Sequence, residues 1–138
     1  MNFFLQTVFG FFLAGSALVA FRLGGRDEKH IAVALLVASL ATPLLQTSSF
    51  DGVQYGIFVT DALLLLVLVY VALVSNRYWP MFAAGFQLTT IFFHVANGSG
   101  IHIVPAAYAD VIVFWSYLVI ATLLGGTLIE STGVGVRS

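Results

Sequence analysis

Five apolar stretches, each close to the length of a membrane-crossing helix, fill most of this chain and limit what it can become. A helix needs about 20 apolar residues to cross ~30 Å of hydrocarbon, within a range of roughly 17–25. The stretches run from Phe3 to Phe21, Ile31 to Gln46, Val53 to Val74, Pro80 to Asn97 and Ala106 to Ile129. Short polar breaks separate them, and no room is left for a soluble domain. The reading is therefore all-α: one transmembrane domain over residues 1–138, a bundle of five helices. Composition agrees, with 60% hydrophobic and only 8% charged residues against roughly 25% charged in a soluble domain. A net charge of −1 supplies no basic field for nucleic acid. The absence of cysteine removes disulfides, thiolate metal sites and cysteine nucleophiles.

An odd number of spans puts the two ends of the domain on opposite faces. Arg22, Arg26 and Lys29 fall in the first break, Arg77 in the third and Arg137 in the tail, whereas the other breaks hold no Lys or Arg. Because cytoplasmic loops carry the excess of Lys and Arg, the N-terminus is expected outside and the C-terminus in the cytoplasm. No basic region precedes the first stretch, so it reads as an uncleaved span rather than a signal peptide. Residues 26–29 read as a solvated cytoplasmic loop, and Asp51-Gly52 as an outer turn. The link Ser75-Asn76-Arg77-Tyr78-Trp79-Pro80 predicts a tight hairpin. Pro80 suits a first helical position, and Tyr78 and Trp79 suit the headgroup layer.

At 100° per residue each span gathers its polar or small residues on one face. Gln6, Gly10, Ala14 and Ala17 share a stripe on the first span, and Ser39, Thr42 and Gln46 on the second, where Pro43 disturbs the outer turn. Gln54 and Asp61 share a face of the third. Gln87, Thr90, His94 and Asn97 make a long polar stripe on the fourth, and Asp110, Tyr117 and Ala121 align on the fifth. Counted at ~1.5 Å per residue from the cytoplasmic hairpin, Asp61 stands ~21 Å and His94 ~22 Å deep. The polar groups converge on the outer half, while the inner half reads as mostly Leu, Val, Ala and Phe. A polar pocket open outward and sealed inward is the expected shape.

An ionisable residue within a span is costly unless paired or neutralised, and so is a functional suspect. Asp61 and His94 admit three readings: a structural bond, a proton- or ligand-binding pair, or part of a metal site completed by Asp110 and, from the outer loop, His102. Haem ligation by His94 needs a second histidine at its depth, and His30 lies at the cytoplasmic end. A retinal Schiff base needs a lysine within a helix, and Lys29 is the lysine available. Neither H-E-x-x-H nor G-x-S-x-G occurs, so the reading leans away from an enzyme without closing the question, and no cofactor is expected beyond the metal or haem weighed above.

The run Arg77-Tyr78-Trp79-Pro80, then Ala83-Ala84-Gly85-Phe86-Gln87 and His94, resembles small multi-span inner-membrane proteins of alphaproteobacteria to which no activity is assigned. Asp61 in the preceding span and Gly126-Thr127 near the end of the last are similar too, so that the resemblance covers the C-terminal two thirds. It implies a bacterial inner membrane and outward-facing polar loops. The expectation is a small accessory or sensing protein with an outward-facing site for a small ligand or a proton, built from Asp61, His94, Asp110, Gln54, Gln87, Asn97, Tyr117 and Gln46. The rivals are a homo-oligomeric transporter or channel, a structural subunit of a larger membrane complex, and a metal-binding membrane protein. Its surroundings are the lipid bilayer, and much of its apolar surface is available to a partner helix or a copy of itself.

Overall fold

The computed structural model describes residues 3–45, 54–101 and 103–133. They form five helices: α1 (Phe3–Leu23), α2 (Arg26–Leu45), α3 (Tyr55–Val74), α4 (Trp79–Gly98) and α5 (Pro105–Ser131). Each helix packs on the next in chain order and α5 returns to pack on α1, so the five close into a ring; α5 also touches α2 across it. Expected positions such as Gln46, His102, the Asp51-Gly52 turn and Arg137 lie outside the described residues.

Four helices, α1, α2, α3 and α5, are long and apolar enough to cross a membrane. The fifth, α4, has the length at 20 residues, but Gln87, Thr89, Thr90, His94 and Asn97 lower its hydropathy. Gln87, Thr90 and His94 are buried, so the polar stripe of α4 faces its neighbours. The core between the helices is apolar, with Ala20, Ile31, Ala32, Leu68, Ala83 and Leu123 fully enclosed.

Residues 26–29 are not the solvated loop expected of them. The α2 helix starts at Arg26, five residues ahead of the apolar run, because its acidic first turn carries Asp27 and Glu28 at the positive end of the helix dipole. The Gly25 N–H donates to Glu28 Oε2 at 2.8 Å. This is the reach-back half of a capping box, in which the third helical residue satisfies the cap N–H. Only Gly24 and Gly25 separate α1 from α2. A Cβ on Gly24 would lie 2.4 Å from the Ala20 carbonyl oxygen and 2.6 Å from Glu28 Cβ, so the turn closes at this tightness with glycine alone.

The same end of the bundle holds a cluster of charges where an apolar inner half was expected. Glu28 is fully buried. It pairs with Arg77 of the α3–α4 link and accepts the Trp79 indole N–H at 3.2 Å. Arg77 also stands 3.7 Å from Glu130 Oε2 at the far end of α5. Ser75 donates to Asp27 Oδ2 at 2.6 Å and accepts the Arg77 N–H at 3.2 Å. Two connections of the ring and the end of α5 are thus tied at one knot. Trp79, expected at the headgroups, is buried instead because its indole donates to Glu28 and lies over Gly126; Tyr78 is exposed.

Gly126 is where α5 makes room for that indole, since a Cβ there would lie 2.3 Å from Trp79 Cγ, whereas one on neighbouring Gly125 meets nothing within 4 Å. Gly126→Ala is therefore expected to lose about 1–3 kcal/mol by overpacking, and Gly125→Ala to be neutral or to gain about 0.5–1 kcal/mol of helix propensity. Unfolding of each by SDS titration from mild detergent, followed by circular dichroism, makes the comparison. In the same assay Arg77→Met, which strands Glu28 as a buried charge, is expected to cost about 3 kcal/mol; Arg77→Met with Glu28→Leu is expected to recover part of that loss.

Candidate functional site

At the other end of the bundle α3, α4 and α5 bring five polar side chains into one chain of hydrogen bonds. Gln87 and His94 stand seven residues apart on α4, two turns along a single face, and both look toward α3. His94 Nε2 lies 2.8 Å from Asp61 Oδ2. Gln87 Nε2 donates to Asp61 Oδ1 at 3.1 Å and to the Asp61 carbonyl oxygen at 3.3 Å. Beyond the imidazole, His94 Nδ1 lies 2.5 Å from the Tyr108 hydroxyl on α5. The Asn97 side chain bonds Tyr108 in turn. Phe58 closes one side, its ring 5.7 Å from the imidazole and at 70° to it.

Both imidazole nitrogens are therefore engaged. A neutral histidine donates from one ring nitrogen and accepts at the other. With Asp61 ionised, Nε2 carries the proton to the carboxylate and Nδ1 accepts from Tyr108. With Asp61 protonated, the acid donates to Nε2, Nδ1–H donates to the phenol oxygen, and the phenol turns its own hydrogen toward Asn97. Every member except the acid's ionised form can give as well as take, so the chain has two complete arrangements that differ by one proton at Asp61.

Both ends of this chain are half-buried, at Asp61 and at Asn97, and the Asp61 end is the one that faces into the ring. The His94 side chain is fully enclosed, while that of Asp61 retains 13% of its surface. Asp61 and Gln87 form part of the wall of a cavity of about 510 Å³ within the ring. Its other polar lining comes from Gln6, Ser39, Thr42 and Ser116, and the rest is apolar, including Phe9, Leu35, Leu36, Ile57, Ile112 and Val113. Among the described residues that line it, Asp61 is the one ionisable side chain. Leu13, Leu64, Val119 and Ile120 form its base, and below them lie the apolar core and the Glu28–Arg77 knot.

The expected site residues divide. Asp61, His94, Gln87 and Asn97 belong to the hydrogen-bonded chain. Gln54 is buried just before α3, outside the cavity lining. Asp110 is exposed: it follows the buried Tyr108 by two residues, a turn of 200° that carries it to the far side of α5. Tyr117 belongs to the α1–α5 seam, where its ring lies 5.3 Å from Phe9 and 5.8 Å from Phe12 and its hydroxyl donates to the Leu5 carbonyl at 3.3 Å. The expected triad of Asp61, His94 and Asp110 is therefore not assembled. No three His, Asp or Glu residues among those described stand together as a metal site.

Tyr108 and Ser116 are the members that sequence reasoning overlooked. A signal for Tyr108 was present: it precedes Gly126 by 18 residues, five full helical turns, and the Gly126-Thr127 pair marks the packed face of α5. Together, fold and site define a class, the helical membrane proteins with a buried polar chain ending at an internal cavity. Compared with known proteins, this chain matches no protein-family model, no curated protein and no solved structure.

Tyr108→Phe keeps the ring and removes the hydroxyl, leaving a buried imidazole nitrogen and Asn97 without that partner. A loss of about 1–3 kcal/mol is expected, together with a changed ¹⁵N shift of His94 Nδ1 by NMR of histidine-labelled protein. Unchanged nitrogen shifts would mean that the phenol does not set the tautomer.

Proposed function

We propose that this chain is a small polytopic protein of the bacterial inner membrane that acts as an accessory or sensing component, taking up a small ligand or a proton at Asp61. In this reading all five helices span. The polar stripe of α4 is no obstacle, because in lipid such groups need only find partners within the protein, and those of Gln87 and His94 are on α3 and α5. The N-terminus lies outside and the C-terminus in the cytoplasm, a placement supported by Arg22, Arg26, Lys29 and Arg77, which sit where α1 ends, α2 begins and α3 meets α4. The cavity then opens in the outer half of the membrane.

The observation that carries the reading is the position of Asp61. It is the ionisable group on the cavity wall and also the end of a buried chain of hydrogen bonds that can reverse. A proton or donor arriving in the cavity meets Asp61 first, and its effect is passed to His94 and Tyr108, which it never touches. The closed base of the cavity supports binding over conduction by a single copy of the chain.

Infrared difference spectra between acid and alkaline buffer, taken on the protein in phosphatidylcholine nanodiscs, test this reading. The wild type is expected to show a protonated-carboxyl band that is missing from Asp61→Asn and displaced in Gln87→Leu. Identical bands in wild type and Asp61→Asn would remove Asp61 from the site.

A further inference from the structure

Among the described residues that line the cavity, the exposed ones all lie on α1 and α2. On α1 the buried residues Leu13, Ser16, Ala17 and Ala20 all lie in the half that leads to the Gly24-Gly25 turn. On α2 the buried residues Glu28, Ile31, Ala32 and Leu35 all lie in the half that leaves it. Toward their other ends no described residue of the two helices is fully buried, and Phe9, Phe12, Leu36 and Ala38 are half-buried. The cavity-lining residues Gln6, Gly10 and Ala14 of α1 and Leu40 and Pro43 of α2 are exposed. Gly10 has no atom within 4 Å of where a Cβ would stand. The cavity is thus least covered between the outer halves of α1 and α2, a slot whose rim is small on the α1 side at Gly10 and Ala14.

A slot between two membrane helices admits molecules already dissolved in the lipid. The wall selects among them by charge. Asp61 is its ionisable group, so a lipid-soluble carboxylate or phosphate would meet repulsion and find no cation there. The ionised carboxylate accepts one bond at each oxygen, from His94 and from Gln87, and each oxygen has a further lone pair to offer. The apolar remainder suits a hydrocarbon body, and a volume of about 510 Å³ falls in the range of sites that enclose a small organic ligand, roughly 300–1,000 Å³.

We infer that the cavity takes a single-chain amphiphile with a cationic amine head, entering sideways between the outer halves of α1 and α2 and placing its ammonium on Asp61. This inference rests on the reading of Asp61 given above and names the class of ligand that the site accepts. In the bound state the ammonium holds Asp61 ionised, so the hydrogen-bonded chain is fixed in the arrangement with the proton on His94 Nε2. The ligand thus writes its presence into the tautomer of a histidine it does not contact.

The test uses the full chain in phosphatidylcholine nanodiscs and three probes of equal length, n-decylamine, n-decanol and decanoate, with bound probe counted by native mass spectrometry. The wild type is expected to retain one decylamine per chain, with decanol at least tenfold weaker and decanoate absent. Asp61→Asn is expected to weaken decylamine at least tenfold. Gly10→Leu fills the slot from an open position, and is expected to fold as the wild type, keep the Asp61 infrared band and still lose decylamine. Equal retention of all three probes, or decylamine binding indifferent to both substitutions, overturns the inference. If the Asp61 infrared band persists while decylamine fails, the ligand class alone is lost; if that band is missing from the wild type, the reading of Asp61 falls with it.

Discussion

A polar side chain between apolar helices has no water to turn to, and its partner must come from another helix. In this ring that constraint is met twice, at opposite ends and in opposite ways. At one end Glu28 is enclosed with Arg77 and the Trp79 indole, an arrangement that removes charge from the bundle by pairing it. At the other, Asp61 is held by His94 and Gln87 but keeps part of its surface toward a cavity. The first centre ties the α1–α2 turn to the α3–α4 link and the end of α5. The second joins α3, α4 and α5 chiefly through side chains, with the Asp61 carbonyl as the backbone member. Between them the wall is Leu, Val, Ile and Ala, and its packing decides the distance at which the two centres stand.

The two centres differ in what they can do. A buried pair of unlike charges has one comfortable arrangement, and replacing either member leaves the other stranded. A chain of acid, imidazole and phenol has two, because each of these groups can exchange the roles of donor and acceptor when a single proton is added. The fold therefore keeps its fixed centre at the end where the chain turns most tightly and its adjustable one beside open space. His94 is the pivot of the second centre: its ring edges meet Phe58 and Tyr108, which holds the plane of the imidazole while its protons change places.

Much of the fold was legible in the sequence because five apolar runs of near-membrane length leave few alternatives. Asp61 and His94 fell at one depth by a count of helical rise from a shared hairpin, and that count needs only the spacing of residues. What was not legible is instructive. The start of α2 was missed because Arg26, Asp27, Glu28 and Lys29 look like a loop to any measure of hydropathy; a backbone cap and a distant arginine make them a first helical turn with Glu28 buried. Asp110 was expected inside because it shares a face with Tyr117, yet that face serves the aromatic seam with α1. Spacing tells which residues of a helix point the same way. It does not tell which way that is, and Tyr108, two positions earlier, shows how small a step separates the inside from the outside.

The glycine turn between α1 and α2 has a mechanical side. It joins two rods, each about 30 Å long at 20 residues, with the Glu28 knot clamped against it. A pivot of about 6° at such an apex moves the far tip by about 3 Å over a rod of that length. The apex is also where the backbone has least bulk to obstruct rotation. Leverage of this kind would let the inferred slot widen with almost no change at the clasp, so that passage and lock would be worked from separate ends of the same two helices.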